Sequence, residues 1–121
     1  MPTRFDDEHG PSRAEALRKF KSEVFRALGH PTRIHIAECL RKGEQPVGSI
    51  LEEVGVEPAN LSQHLALLRA RSLVICRRSG SKVYYSLADP LLGRILDEMR
   101  AFFQAHIEES MAMLRDLGER P

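Results

Sequence analysis

A mainly helical domain with one small β-hairpin, ordered as four helices, two strands and a last helix, is what this sequence predicts. Three observations carry the prediction. Leu61, Leu65 and Leu68 recur at i, i+4 and i+7 behind Pro58, which marks a helix with one narrow apolar stripe. From Leu73 the pattern changes to strand chemistry on both sides of Ser79-Gly80-Ser81. After Asp89-Pro90 a helical stripe returns and continues to about Leu117. Helices followed by a basic hairpin give a winged helix-turn-helix order, and the length of the last helix makes the fold dimeric.

The totals set the frame. With 121 residues the chain forms one domain with a modest core. Its 42% apolar and 29% charged residues are the balance of an ordinary globular protein. No apolar run approaches the roughly 20 residues of a membrane span. The opening residues lack the apolar centre of a secretory signal. Two widely separated cysteines do not form a disulfide framework, so a reducing cytoplasm is expected. The net charge of +1 conceals an uneven distribution. Residues 57–87 carry five lysine or arginine residues against Glu57 alone, whereas residues 88–121 carry four arginines against seven acids. A local basic excess of this kind points to an anionic partner.

Residues 1–11 read as a flexible N-terminal arm and residues 12–118 as the domain proper. Ser12 with Glu15 is a capping-box pattern, and the helix after it runs to about Leu28. Leu17, Phe20, Val24, Phe25 and Leu28 line one of its sides. Gly29-His30-Pro31 breaks it, with His30 as the stop. A second helix, about Pro31 to Arg41, carries Ile34, Ala37 and Leu40, and leaves His35 facing outward. Pro46 opens a short third helix, Val47 to Val54, closed by Gly55.

The fourth helix has an unusual outer face. Ala59, Gln63, Ala66 and Ala70 point away from the leucines, with Asn60 and Ser62 flanking them. Small residues with an amide and a hydroxyl, and no carboxylate, suit a helix that lies close against another surface and offers it hydrogen bonds. In the winged helix-turn-helix order this helix enters a DNA major groove. Asn60 and Gln63 carry amides that can pair with adenine, and Ser62 both donates and accepts. The hairpin strands, Leu73 to Arg78 and Lys82 to Leu87, place Arg77, Arg78 and Lys82 around Gly80, where they suit phosphates or a narrow minor groove. The last helix carries Leu92, Ile95, Leu96, Met99, Phe102, Phe103, Ile107, Met111, Leu114 and Leu117. About 27 residues at about 1.5 Å each make it near 40 Å long, so part of its stripe requires a second chain.

The chain resembles the ArsR/SmtB repressors in Leu28-Gly29-His30-Pro31-Thr32-Arg33-Ile34-His35-Ile36. The likeness continues in Leu61-Ser62-Gln63-His64-Leu65 with Leu68-Arg69, in Leu73-Val74, and in Arg77-Arg78 with Val83-Tyr84-Tyr85. It covers about residues 16–90. It implies a homodimeric winged-helix repressor that binds an inverted-repeat operator in double-stranded DNA and is released by an unidentified signal. The implied recognition helix holds Ala59, Asn60, Ser62, Gln63 and His64. The implied wing holds Arg77, Arg78, Ser79, Ser81 and Lys82. First and last helices are the implied dimer interface, through Leu17, Phe20, Val24, Leu92, Ile95, Met99, Phe102, Phe103, Ile107, Met111 and Leu114.

The sensing motifs of such relatives are incomplete here. Val47-Gly48-Ser49 stands where a Cys-Val-Cys site would fall, and Asp89-Pro90-Leu91 lacks the histidine of the last-helix site. His106 and Glu109 share a face, but two ligands do not make a zinc site. No metal or cofactor is therefore expected. Cys39 and Cys76 are the candidates for a thiol switch, although Cys39 also reads as a small core residue and Cys76 falls in a wing strand rather than the last helix. No glycine-rich phosphate loop and no nucleophile–base set is present, so the chain is not expected to be an enzyme. The competing reading is a winged-helix adaptor that binds protein and not DNA.

Overall fold

The computed structural model describes residues 10–119; the first nine residues of the expected arm lie outside them. The described elements run α1 (Arg13–Leu28), α2 (Pro31–Leu40), β1 (Gln45–Pro46), α3 (Val47–Val54), α4 (Pro58–Ala70), β2 (Val74–Ser79), β3 (Lys82–Leu87) and α5 (Pro90–Glu119). The helix–hairpin–helix order predicted from the sequence is present, and β1 is an addition to it. This two-residue strand pairs antiparallel with β3, Gln45 opposite Tyr85 and Pro46 opposite Tyr84, so the sheet order is β1-β3-β2.

Local chemistry sets the boundaries. Ser12 and Glu15 form the capping box, Glu15 N–H donating to Ser12 Oγ at 3.2 Å and Ser12 N–H to Glu15 Oε1 at 2.9 Å. His30 does not merely stop α1: its Nδ1 accepts the Thr32 N–H at 3.0 Å and caps α2. Pro31 and Pro58 occupy the first turns of α2 and α4, where a missing N–H costs nothing.

The core lies under α4. Ile36, Ala37, Cys39 and Leu40 of α2, Ile50 of α3, Leu61, Leu65 and Leu68 of α4, and Val74 of β2 are buried together. α2 is buried through its second half, at Ile36, Ala37, Cys39 and Leu40, while α4 buries only its leucine stripe. Val24 of α1 and Leu92 of α5, expected at a dimer interface, pack partly buried against this protomer's own core. Two ion pairs brace the helices around it, Arg71–Glu23 from the end of α4 to α1 at 3.2 Å and Arg41–Asp97 from the end of α2 to α5 at 2.7 Å.

The end of α4 stores strain in one residue. Leu73 N–H donates to Leu68 O at 3.0 Å and Ser72 N–H to Arg69 O at 2.9 Å, the two bonds of a Schellman motif. The motif puts Ser72 at φ 59°, the only positive φ outside glycine among the described residues. Ser72→Gly is accordingly expected to raise stability by about 0.5–1 kcal/mol, read as a higher urea midpoint at unchanged m.

Candidate nucleic-acid interface

The outer face of α4 is exposed along its length. Ala59, Ser62, Gln63, Ala66 and Ala70 are all exposed, whereas Leu61, Leu65 and Leu68 on the opposite side retain at most 2% of their surface. No long charged side chain covers the middle of this face, so the backbone can approach another surface closely. Asn60 is also exposed, turned toward one edge of the face.

Beside that face lies a groove between α4 and the sheet, lined by Ser62, Leu65, Ala66, Arg69, Val83 and Tyr85. Val47 and Val83 also line a second groove, between the start of α3 and the hairpin tip, which contains Gly48, Ser49, Ser81 and Lys82 with Glu52. The two grooves therefore join into one concave band from the recognition helix to the wing. Arg69 is the member of this band that the sequence left unassigned. Its place at the last turn of α4, beside the leucine stripe rather than on the outer face, gave no sign of the sheet next to it.

The three hairpin cations are not equivalent. Arg78 and Lys82 are exposed and form no ion pair among the described residues. Arg77 differs. Its Nε and Nη2 donate to the two oxygens of Glu44 at 2.8 and 2.7 Å, and its guanidinium lies 4.6 Å from the centre of the Tyr84 ring. The arginine holds the Glu44 carboxyl below its usual range, chiefly through the hydrogen bond. Of the three cations expected to suit phosphates or a narrow minor groove, Arg77 is thus already paired within the chain, by a carboxylate from the residue just before β1. Ser79 ends β2 as its last residue, opposite Lys82, and Ser81 is exposed in the turn.

His64 leaves the outer face and turns toward α2. Its ring centre is 4.5 Å from that of His30, and Arg33 Nη1 approaches its Nδ1 at 3.5 Å. Burial, then His30 and Arg33, lower its pKa. His35, half-buried, sits 3.8 Å from Glu53, which also binds Lys42 at 3.0 Å.

Both cysteines are free thiols. Cys39 is 1% exposed, and burial first, then the neighbouring Glu53 carboxylate, push its pKa up to about 11. Such a thiol stays protonated at neutral pH and is a poor nucleophile. Cys76 is half-buried beside the Tyr85 hydroxyl, whose own pKa is raised by burial and by that thiol. No group of three His, Cys, Asp or Glu side chains among the described residues is placed to hold a metal ion.

α5 bears a second exposed surface. Ile95, Phe102, Phe103, Ile107, Met111 and Leu114 each keep about half of their surface or more, as do Leu17 and Phe20 on α1. Met99 is half-buried at the α1–α5 groove. No described helix is long and apolar enough to cross a membrane, so this surface is not a bilayer span.

Residues 28–77 match the model of a helix-turn-helix domain family. An uncharacterized HTH-type transcriptional regulator of Mycobacterium tuberculosis is 39% identical over 105 residues, covering 86% of this chain and 92% of its own. This chain belongs to the ArsR/SmtB family. Among these regulators, the biofilm growth-associated repressor of Agrobacterium fabrum is 32% identical over 74% of this chain and 80% of its own. The solved structures agree. The homodimeric winged helix-turn-helix DNA-binding domain of Mb0332 from Mycobacterium bovis, a possible ArsR-family regulator, superposes with TM-score 0.75 at 28% identity over 83% of this chain and 93% of that one. The crystal structure of M. tuberculosis Rv0081 gives TM-score 0.73 at 38% identity over 78% of this chain and 96% of that one. The chain is therefore a winged helix-turn-helix transcriptional regulator of the ArsR/SmtB family.

Proposed function

We propose that this chain is a cytoplasmic repressor that binds an inverted-repeat operator as a homodimer. Residues 12–118 act as one DNA-binding domain, with residues 1–11 as an arm. The observation that carries this reading is the pair of adjoining grooves that runs from Ser62 past Arg69 to Ser81 and Lys82 of the wing, with Gln63 exposed on the same helix and Arg78 exposed in the same hairpin. Ser62, Gln63 and Asn60 read base edges, with Ala59 allowing close approach. Arg69, Arg78 and Lys82 bind phosphates, and Ser79 and Ser81 add neutral donors at the wing tip. Arg77 contributes through wing geometry more than through charge, because Glu44 engages it. His64 supports α4 from behind. The second copy covers the exposed stripe of α1 and α5. Release follows a signal other than ionisation of Cys39, whose thiol is held neutral. No catalytic role and no cofactor is proposed.

Arg78→Ala with Lys82→Ala tests this directly. Two lost phosphate contacts should lower affinity for every DNA sequence alike and reduce the slope of log K against log salt by about 2. An adaptor that binds protein alone would show no salt-dependent DNA binding to lose. Anisotropy titrations across a salt series separate the outcomes.

A further inference from the structure

Two histidines meet behind the recognition helix, where no base contact needs them. His30 caps α2 through Nδ1, which accepts the Thr32 N–H at 3.0 Å. That nitrogen therefore carries a lone pair, and the ring proton sits on Nε2. His64 of α4 presents its own Nδ1 to Arg33 Nη1 at 3.5 Å. A guanidinium can only donate, so this nitrogen is also an acceptor. The rings lie 4.5 Å apart, tilted by 49°. Arg33 is itself tethered, its Nε donating to the Ala27 carbonyl at the end of α1. The contact thus ties the α1–α2 break, α2 and the recognition helix together through the two imidazoles and Arg33.

We propose that His30 and Arg33 are positioning residues that seat the recognition helix through His64, and that proton uptake by His64 unseats it, weakening DNA binding in acid. A proton on His64 Nδ1 replaces the acceptor with a donor that faces the Arg33 guanidinium, itself a donor. It also adds a positive charge next to Arg33. The groups facing His64 offer no compensation. From α2 and the break before it come Arg33 and His30; on α4 itself the neighbouring turns bring Asn60 and Leu68; no carboxylate among the described residues forms an ion pair with either ring. The lowered pKa of His64 agrees in direction. A histidine with a depressed folded pKa binds its proton more readily unfolded. Its contribution is therefore intact above the unfolded value of about 6.5 and is lost as pH falls below it.

The consequence runs against general electrostatics, because added positive charge ordinarily strengthens DNA binding. This inference rests on the DNA-binding reading for its functional half only. The test uses the full chain and the double variant His30→Asn/His64→Asn. Asparagine is a strong N-cap at any pH and places an acceptor oxygen near each lost Nδ1. From pH 7.5 to 5.5 at fixed salt, wild-type affinity for DNA should fall, because protein that takes up a proton at His64 leaves the binding-competent population. The double variant should hold or gain affinity. Wild-type affinity that holds or rises, or a parallel fall in the double variant, overturns the proposal. Thermal unfolding supplies a readout independent of DNA: the midpoint should drop further in the wild type than in the variant over the same pH interval, and equal drops overturn it. If neither protein binds DNA at any pH, the DNA-binding reading fails, and the thermal comparison still decides the seat. Should the variant not fold, NMR titration of the wild-type imidazole signals decides. His64 must titrate below the value of an unfolded peptide, and titration at or above that value refutes the proposal.

Discussion

Phe103→Asp with Ile107→Asp is expected to leave a folded monomer that has lost operator binding. Both residues keep about half their surface in the single protomer, 49% and 55%, and neither belongs to its core cluster. Removing them therefore costs the protomer little. In a dimer each buried large apolar side chain contributes about 1.5–3 kcal/mol, and each aspartate adds the cost of burying a charge. Two substitutions thus oppose dimerisation by more than about 3 kcal/mol, beyond a hundredfold in the dimer constant. Sedimentation at micromolar concentration should give half the wild-type mass, with an unchanged far-UV spectrum. Binding to a two-half-site DNA should weaken at least as much, since each protomer then meets its half-site alone.

Changing the reading face has a different signature. Ser62→Ala with Gln63→Ala removes the hydroxyl and amide at the centre of the α4 outer face. A good bidentate base contact is worth about 1–3 kcal/mol of discrimination, so preference for the operator over an unrelated duplex should fall roughly 5- to 150-fold. Non-specific affinity and its salt slope should stay near wild type, because Arg69, Arg78 and Lys82 are untouched. Stability should change by less than about 0.5 kcal/mol, as expected for exposed positions away from caps and core. Competition titrations with operator and random duplex measure both quantities. Equal losses on the two DNAs would assign these residues to structure or to the backbone.

Most of the fold was legible because local chemistry and long-range packing agree here. The Ser12–Glu15 box, the prolines at 31 and 58, the leucine spacing of α4 and the glycine turn of the hairpin each mark an element that formed where its residues predicted. β1 was not legible. Two residues ending in proline show no alternation, and only the partner strand makes them a strand. The site was legible in its face but not in its pairings. Helical periodicity places Ser62 and Gln63 outward, but nothing local announces that Glu44 crosses β3 to engage Arg77. Nor does it announce that His64 meets His30, 34 positions earlier in the chain. Val24 and Leu92 make the same point for apolar residues. A stripe shows that a side is buried, not whether the chain itself or a second copy buries it.

The central claim is that two copies of the α4–wing band read one symmetric DNA site. Selection of bound fragments from random-sequence duplexes at low salt, followed by footprinting of the enriched sequence, tests it most directly. The expected result is an inverted repeat with two protected half-sites about one helical turn apart, about 10–10.5 base pairs from centre to centre. Protein shown to be dimeric that enriches no sequence, or protects a single asymmetric site, would contradict it.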